Sequence, residues 1–235
     1  MSIKENPQLC KEIWLLSADG NRNYFNYEAA ILSAGLKPQF VDRKTLTKIY
    51  GDGSHHGVVL RRKLPEILGL NQFLRKLLES SRVDPLILVV DRIQDPRNFG
   101  ACLRVAACAG VDAVIFPNNN NAQISTVVAQ AASGAIDLLN LVRVSNLASA
   151  LRKLSEAGIW LVGSAEQGNH DFYSVDFCLP TAIVVGNEGS GMRGLTRQLC
   201  DLVVSLPTSS MLSSLNVSNA ATVILYEALR QRSQI

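Results

Sequence analysis

The stretch LILVVDRIQDPRNFGACLRVAACAGVDAVIF, residues 86–116, decides the fold class of this chain. Residues Leu86–Val90 are all apolar, and so are residues 113–116. Continuous apolar runs of this length are typical of strands that are buried on both faces of a parallel sheet. Residues 98–109 between them are predicted to be helical, and a strand, a helix and a second strand in this order form the unit that joins parallel strands.

The same alternation continues to the end of the chain. Further strands are predicted at 160–162, 182–185 and 202–206, and further helices at 123–134, 145–157, 191–200 and 216–232. This pattern predicts an α/β fold in which helices cover both faces of a parallel sheet. We assign it to a larger domain at residues 66–235, whose opening segment has apolar residues at helical spacing from Ile67 to Leu78.

Residues 1–65 are predicted to form a separate, smaller α/β domain. Strands are expected at 12–17, 38–41 and 57–61, and helices at 27–34 and 45–50. This segment has ten Lys and Arg against six Asp and Glu, whereas the rest of the chain has thirteen against fourteen. Its basic side chains either bind a phosphate-rich partner or form an ordinary solvated face; they are Lys37, Arg43, Lys44, Lys48, Arg61, Arg62 and Lys63.

Composition excludes several classes of protein. With 235 residues, 47% of them hydrophobic and 18% charged, the chain is neither disordered nor fibrous. It has no apolar stretch near the roughly 20 residues that cross a bilayer and no signal-peptide pattern at its start, so we expect it in the cytoplasm. Five cysteines without a C-x-x-C pair, and a His55-His56 pair whose side chains point to opposite sides of an extended chain, predict neither a disulfide framework nor a metal site.

Three polar loops follow predicted strands, and ligands of open parallel sheets bind where the carboxyl ends of strands meet. In the first loop, Asn98 is placed to cap a helix on which Arg104 has only small apolar neighbours one turn away. A guanidinium in such surroundings needs an acid, an anionic ligand or water. A structural salt bridge with Asp91 or Asp95 and a role in binding a ligand are both open.

The second loop is Gly186-Asn187-Glu188-Gly189-Ser190-Gly191, and the third contains Ser213, Ser214 and Asn216 ahead of the last helix. Glycines let a backbone approach a ligand closely, although a tight turn uses them equally well. The second loop lacks the dinucleotide fingerprint, and Glu188 would repel a phosphate, which argues against NAD and ATP. Ser and Asn in the third loop are either ligand contacts or simple caps.

Three motifs together resemble those of the SpoU-type RNA ribose methyltransferases. They are N-x-G-A-x-x-R at 98–104, V-G-N-E-G-x-G at 185–191 and S-L-N-V-S at 214–218. Within that family the chain is most similar to bacterial enzymes that methylate a guanosine ribose of 23S rRNA. Its front segment is similar to their substrate-binding domain, which is related to ribosomal protein L30e. It lacks that domain's opening G-x-H-A-V helix, so we expect a shortened front domain.

The resemblance implies a SPOUT-type parallel sheet with a C-terminal trefoil knot, a homodimer formed through the knotted domain, and S-adenosylmethionine as cofactor. Carried over by motif, the residues expected to bind the cofactor are Gly186, Asn187, Gly189, Leu206, Pro207, Ser214, Leu215 and Asn216. The expected catalytic residues are Arg104, Asn98, Glu188, Ser214 and Asn216. No metal is required, because the sulfonium of the cofactor already activates the methyl group.

The residue that matches Arg104 is proposed in the family to act on the ribose 2′-hydroxyl. A guanidinium is a poor base because it does not readily give up its proton, so an electrostatic role is favoured over proton abstraction. Large-subunit rRNA is the expected partner and tRNA its rival. Two other classes of function stay open: a nucleotide-cofactor oxidoreductase, and an RNA-binding or ribosome-assembly protein that transfers no methyl group.

Overall fold

The structure of the chain is a computed structural model that describes residues 3, 6–17, 22–51, 55–80, 82–209 and 215–233, with only the backbone described at 22–26. It forms two compact units, Met1–Pro65 and Glu66–Ile235. Ser214, one of the predicted site residues, lies outside the described residues. None of the described helices is both long and apolar enough to cross a membrane.

The smaller unit contains a three-stranded mixed sheet. Strand β1 (Cys10–Leu16) lies between β2 (Pro38–Val41), which is parallel to it, and β3 (Val58–Arg62), which is antiparallel. Helices α1 (Arg22–Ser33) and α2 (Arg43–Tyr50) complete the unit. Its core includes Ile13 and Leu15, which alternate toward one face of β1 as a period of two requires, together with Ile31 of α1.

The larger unit contains a sheet of eight described strands, all paired in parallel. The order across the sheet is β4-β7-β6-β5-β10-β8-β11-β9. The strands are β4 (Ile67–Leu68), β5 (Leu86–Val90), β6 (Ala113–Pro117), β7 (Asn140–Val144), β8 (Trp160–Ser164), β9 (His170–Asp171), β10 (Thr181–Val185) and β11 (Leu202–Ser205). The helices are α3 (Leu70–Glu79), α4 (Pro96–Cys108), α5 (Thr126–Ala132), α6 (Leu147–Glu156), α7 (Gly194–Leu199) and α8 (Val217–Arg232). The predicted parallel α/β fold is therefore confirmed.

Helices cover both faces of this sheet because its central strands are apolar on both sides. In β5, Leu86, Leu88 and Val90 belong to the hydrophobic cluster that α4 and α8 also line. Ile87 and Val89 point the other way, into the cluster lined by α3 and α6. Complete burial of β5, β6 and β10 explains why these strands appear in the sequence as unbroken apolar runs.

The order of the strands creates a switch point between β5 and β10. From β5 the chain continues to β6 and β7 on one side of the sheet, and it then crosses to β8 on the other side. The loops after β5 and β10 therefore leave the sheet next to each other at its carboxyl edge, with the ends of β8 and β11 beyond them. Ligands of open α/β sheets bind at such a point.

Several predicted elements are corrected by the structure. Ile67 and Leu68 form strand β4, which pairs with Leu141 and Val142 of β7, so the helical segment begins only at Leu70. Leu78 is 81% exposed and does not pack as its spacing suggested. Strands β7 and β9 were not predicted, because β7 contains the exposed polar residues Asn140 and Arg143 and so is not an unbroken apolar run, and β9 has only two residues. The trefoil knot stays a prediction.

Candidate active site

The N-terminus of α4 is capped by Asp95 and not by Asn98, so the predicted cap is wrong. The Asp95 carboxylate accepts hydrogen bonds from the backbone N–H of Arg97 at 2.6 Å and of Asn98 at 3.3 Å. Pro96 occupies the first turn, where its lack of an N–H costs nothing. The Asn98 side chain is therefore available for contacts outside its own helix.

Those contacts join the three loops that the sequence singled out. The Asn98 amide donates to Glu188 Oε1, and the Asn216 amide donates to the same oxygen at 3.1 Å. Asn216 Nδ2 also lies 3.2 Å from Asn98 Oδ1. Residues 118 positions apart in the chain thus meet around one carboxylate. A carboxylate that accepts from two amides holds both in a fixed orientation.

The glycine-rich loop after β10 folds back on itself. The backbones of Asn187 and Gly191 exchange two hydrogen bonds, of 3.0 and 2.8 Å. A Cβ atom at Gly186 would lie 2.2 Å from the backbone of Gly191 and Met192, so only glycine fits there. Gly191 itself has φ +63°, a conformation that L residues rarely adopt. The glycines therefore allow two parts of the loop backbone to approach each other, and the folded loop forms a wall of the neighbouring cavity.

A cavity of about 320 Å³ lies beside this loop, at the carboxyl ends of β8, β10 and β11. Its size is at the lower end of the range for small-molecule sites. Six predicted cofactor or catalytic residues line it: Gly186, Asn187, Glu188, Gly189, Leu206 and Leu215. Pro207, Asn98, Arg104 and Asn216 are not among the lining residues. The cavity thus assembles most of the predicted binding set, while the Asn98–Glu188–Asn216 cluster shares Glu188 with it.

The sequence analysis missed several residues of this cavity. The additional lining residues include Ser164, Ala165, Glu166, Gln167, Arg197 and Thr208. Residues 164–167 end β8 and follow it, and Arg197 donates a hydrogen bond of 2.5 Å to the Gln167 carbonyl oxygen. A signal was present in the sequence, because β8 was a predicted strand and its carboxyl end lies at the same edge of the sheet as the ends of the strands that precede the other three loops.

Arg104 is exposed on α4, and its nearest described partner is not an acid. Its Nη1 lies 3.3 Å from the hydroxyl of Ser133, which has a positive φ of 50° at the C-terminus of α5. Asp95 caps α4, and Asp91 pairs with Arg193, so neither forms the salt bridge that the sequence left open. Within the described part of the chain, the Arg104 guanidinium stays available to an anion.

The small residue at position 100 has a packing role that the sequence did not reveal. A Cβ atom on Gly100 would lie 2.5 Å from Ala131 Cβ and 2.7 Å from the Val128 carbonyl oxygen of α5. Helices α4 and α5 therefore cross closely at this glycine. Arg104 lies one turn after Gly100 on α4, and Ser133 lies two residues after Ala131 at the end of α5, so the crossing also sets the position of the Arg104 guanidinium.

Burial keeps two cysteines near the site protonated. Burial, and to a lesser extent the negative charge of Glu188, raise the pKa of the Cys102 thiol to about 12. Burial also raises the pKa of Cys200 to about 12, with Asp201 and Asp91 adding to the effect. A thiolate is the nucleophilic form of cysteine, so neither residue has the character of a nucleophile.

His55, the first residue of the histidine pair, serves the local structure of the smaller unit. His55 Nδ1 accepts a hydrogen bond from the Gly57 backbone N–H at 3.1 Å, and Nε2 lies 3.2 Å from the Thr47 hydroxyl. Both ring nitrogens thus have partners, one in the loop and one on α2. Among the residues that the structure describes, no group of three His, Cys, Asp or Glu side chains could hold a metal ion.

Fold and site together define a parallel α/β protein with a ligand cavity at the switch point of its sheet. Comparison with known families makes this class more specific. The model of the SpoU rRNA Methylase family matches residues 85–226, and that of the RNA 2′-O ribose methyltransferase substrate binding domain matches residues 2–68. The chain belongs to the SpoU rRNA methylase family.

Relatives of the chain share this organisation along nearly their whole length. A protein of Ralstonia nicotianae named 23S rRNA (guanosine-2′-O-)-methyltransferase RlmB is 41% identical over 99% of this chain and 92% of its own. A protein of the same name from Pseudomonas aeruginosa is 40% identical, with 99% and 93% covered. The crystal structure of the SpoU methyltransferase AviRb from Streptomyces viridochromogenes in complex with AdoMet superposes with a TM-score of 0.78, at 28% identity over 99% of this chain and 87% of that one.

Proposed function

We propose that this protein transfers a methyl group from S-adenosylmethionine to a ribose 2′-hydroxyl of RNA, and that its substrate is a guanosine of 23S rRNA. The observation that carries the proposal is the meeting of Asn98, Glu188 and Asn216 beside the cavity that the glycine-rich loop encloses. Relatives about 40% identical over the full chain carry the corresponding name. An oxidoreductase finds no support in this set of residues.

The cavity suits a small ligand with both polar and apolar parts. Leu206 and Leu215 offer apolar surface, whereas the loop from Gly186 to Gly191 offers backbone N–H and C=O groups. Such a mixture of apolar walls and a few placed polar groups is typical of cofactor sites. When bound, S-adenosylmethionine supplies a methyl group that its sulfonium has already activated. Pro207 and Ser214 remain proposed contacts on the strength of their motifs.

The protein's own residues must hold the acceptor ribose and ease the loss of its proton. As the 2′-oxygen would form its bond to the methyl carbon, the bond from that carbon to sulfur would break, and the hydroxyl proton would pass to solvent water. Glu188 fixes the amides of Asn98 and Asn216, which we propose orient the ribose in line with the methyl group. The guanidinium of Arg104 stabilises the developing alkoxide by its positive charge.

We further propose that the protein acts as a homodimer formed through the larger unit. The last helix, α8, presents Val223, Tyr226 and Leu229 to solvent, with exposed fractions of 43%, 48% and 36%. These residues are three positions apart and share one face of the helix. Exposed apolar rows of this kind are typical of interfaces. Because Arg104 does not line the cavity of its own chain, we propose that in the dimer it serves the cavity of the partner.

The smaller unit is proposed to bind RNA through its phosphates. Lys44 and Lys48 are exposed one turn apart on α2, whereas Arg61 is neutralised by an ion pair of 3.0 Å with Glu12. Each phosphate that a Lys neutralises releases counterions and steepens the salt dependence of binding by about one unit. The double variant Lys44→Gln and Lys48→Gln should therefore lower the salt slope by about two, and an unchanged slope would place the RNA surface elsewhere.

The direct test of the reaction is transfer of labelled methyl to unmodified 23S rRNA and, in parallel, to tRNA, followed by alkaline hydrolysis. A methylated 2′-oxygen cannot attack the adjacent phosphate, so ribose methylation leaves the label in alkali-resistant dinucleotides. Label in mononucleotides would mean base methylation and would contradict the proposal. Label in tRNA alone would show that the substrate is tRNA and not 23S rRNA. Cofactor binding without transfer to either RNA would favour a non-catalytic RNA-binding protein.

Arg104→Ala tests the catalytic assignment. Removal of a group that stabilises developing charge lowers the rate by about 10²- to 10³-fold. Arg152→Ala is the matched control, because Arg152 is also exposed on a helix of the larger unit but belongs to α6 and not to the site. Equal activity of the two variants would remove Arg104 from the mechanism.

A further inference from the structure

Arg92 has an unusual backbone conformation next to the switch point of the sheet. It comes two residues after the end of β5, at the switch point, and its φ is 66°. For a residue other than glycine this left-handed conformation is unfavourable, and such strain is concentrated at functional sites. The Asn187 amide donates to the Arg92 carbonyl oxygen at 3.1 Å, which ties this strained turn to the glycine-rich loop.

One hydrogen-bond donor of the Arg92 side chain has no acceptor among the described residues. Its Nε atom is buried and has no hydrogen-bond partner among the described residues, although the side chain as a whole is 28% exposed. Its Nη2 lies 3.5 Å from the Ser190 hydroxyl, which is at the limit of a hydrogen bond. Buried donors in native proteins are nearly always paired, so an unpaired one needs an explanation.

The neighbouring carboxylate does not supply the missing acceptor. Asp91 is fully buried, and its two oxygens accept from the Arg193 backbone N–H at 2.9 Å and from Arg193 Nε at 2.8 Å. Arg92 Nε is 3.7 Å from Asp91 Oδ1, too far for a hydrogen bond. Two guanidinium groups therefore share one carboxylate, and one positive charge is left over at the mouth of the site.

We propose that Arg92 binds a phosphate of the RNA strand next to the ribose that is methylated. The inference rests on the proposed function and adds a substrate-binding residue to it. Arg92 contacts the loop that contains Glu188 but is not among the residues that line the cavity. Its anion therefore lies beside the cavity, where RNA would approach, and not inside it. A guanidinium binds the oxygens of a phosphate through parallel, charge-assisted hydrogen bonds, and the exposed part of the Arg92 side chain would supply them, since Nε itself is buried.

Arg92→Gly is the informative variant, because glycine adopts a positive φ without strain. Its thermal midpoint should equal or exceed that of the unmodified protein. Its affinity for a 23S rRNA fragment should fall about tenfold at 0.1 M salt, and the slope of log affinity against log salt should decrease by about one. Arg92→Lys should keep the slope and recover part of the affinity, because it retains the charge but not the paired donors. Arg152→Ala serves as the control, because it removes an exposed arginine from α6, away from the site.

RNA binding is measured by titration without methyl transfer, and cofactor binding is measured separately by calorimetry with S-adenosylmethionine. An unchanged RNA affinity and salt slope in Arg92→Gly would overturn the inference. Weaker cofactor binding with unchanged RNA binding would also overturn it, since the anion would then be the cofactor carboxylate. If the unmodified protein binds RNA but methylates none, the proposed function fails while the assignment of Arg92 is still decided by the slope.

Discussion

Substitution of Gly100 by alanine has two opposing effects on the stability of the fold. Glycine in the middle of a helix costs about 0.5–1 kcal/mol relative to alanine, so Gly100→Ala should stabilise α4 if helix propensity decides. The new Cβ atom would, however, lie 2.5 Å from Ala131 Cβ and 2.7 Å from the Val128 carbonyl oxygen. Ordinary contacts are about 3.5–4.0 Å, so α4 and α5 must separate by roughly 1 Å.

Overpacking of a well-packed core costs about 1–3 kcal/mol. The upper end applies here, because one of the two contacts is to backbone and cannot be relieved by a change of rotamer. After the gain in helix propensity is subtracted, we expect a net loss of about 2 kcal/mol in the free energy of unfolding. For a protein of this size that lowers the thermal midpoint by about 4–8 °C.

The same displacement should impair the reaction. The Arg104 guanidinium lies 3.3 Å from the Ser133 hydroxyl at the end of α5, so separation of the helices shifts Arg104. A misplacement of 1 Å can lower a rate by roughly 10²-fold, and we expect a loss approaching this in methyl transfer at 25 °C.

Thermal denaturation of Gly100→Ala beside Gly194→Ala tests the reasoning. Gly194 begins α7, and a Cβ atom there meets no atom within 4 Å, so its substitution should leave the midpoint unchanged or raise it. The double variant Gly100→Ala with Ala131→Gly removes the nearer contact but places a glycine in α5, so it should recover only the part of the lost stability that exceeds the cost of about 0.5–1 kcal/mol for that glycine. A midpoint for Gly100→Ala at or above that of the unmodified protein would refute the close helix crossing.

Three further predictions follow from local contacts. Gly186→Ala should abolish binding of S-adenosylmethionine in calorimetry, because its Cβ would lie 2.2 Å from the backbone of Gly191; retained binding would show that the loop adapts. Hydrogen bonds from the backbone and hydroxyl of Thr45 lower the pKa of Asp42 below its usual 3.8, so this cap stabilises the fold above pH 4 and is lost as pH falls through the lowered pKa. The gap in denaturation midpoint between the unmodified protein and Asp42→Ala should therefore close in acid, and a gap that widens would contradict the cap. Thiol reagents at pH 7 should modify exposed Cys108 long before buried Cys102, as peptide mapping would show; the reverse order would contradict the packing of α4.

Much of the fold could be predicted from the sequence because its main signals are local. Strands such as Leu86–Val90 are buried on both faces, so every residue is apolar and the run is visible without knowledge of its neighbours. The end of an apolar run marks the carboxyl edge of the sheet, and this located the loops that contain Asn98, Glu188 and Asn216. The glycine-rich loop was also visible in the sequence, because a backbone that folds back on itself at Gly186 and Gly191 requires glycine at these positions.

Contacts between distant residues were decided only by the tertiary structure. Asp95 followed by Pro96 is a local signal that the helix is capped before Asn98. The partner of the Asn98 amide is not visible locally, because the Glu188 carboxylate lies 90 positions away in the chain. The unpaired Nε of Arg92 likewise depends on a distant residue. Arg193, in a later loop, donates to both carboxylate oxygens of Asp91, so Asp91 does not accept from Arg92. Local propensity and periodicity determine which segments are strands and where their loops lie, whereas the pairing order of the strands determines which polar groups meet.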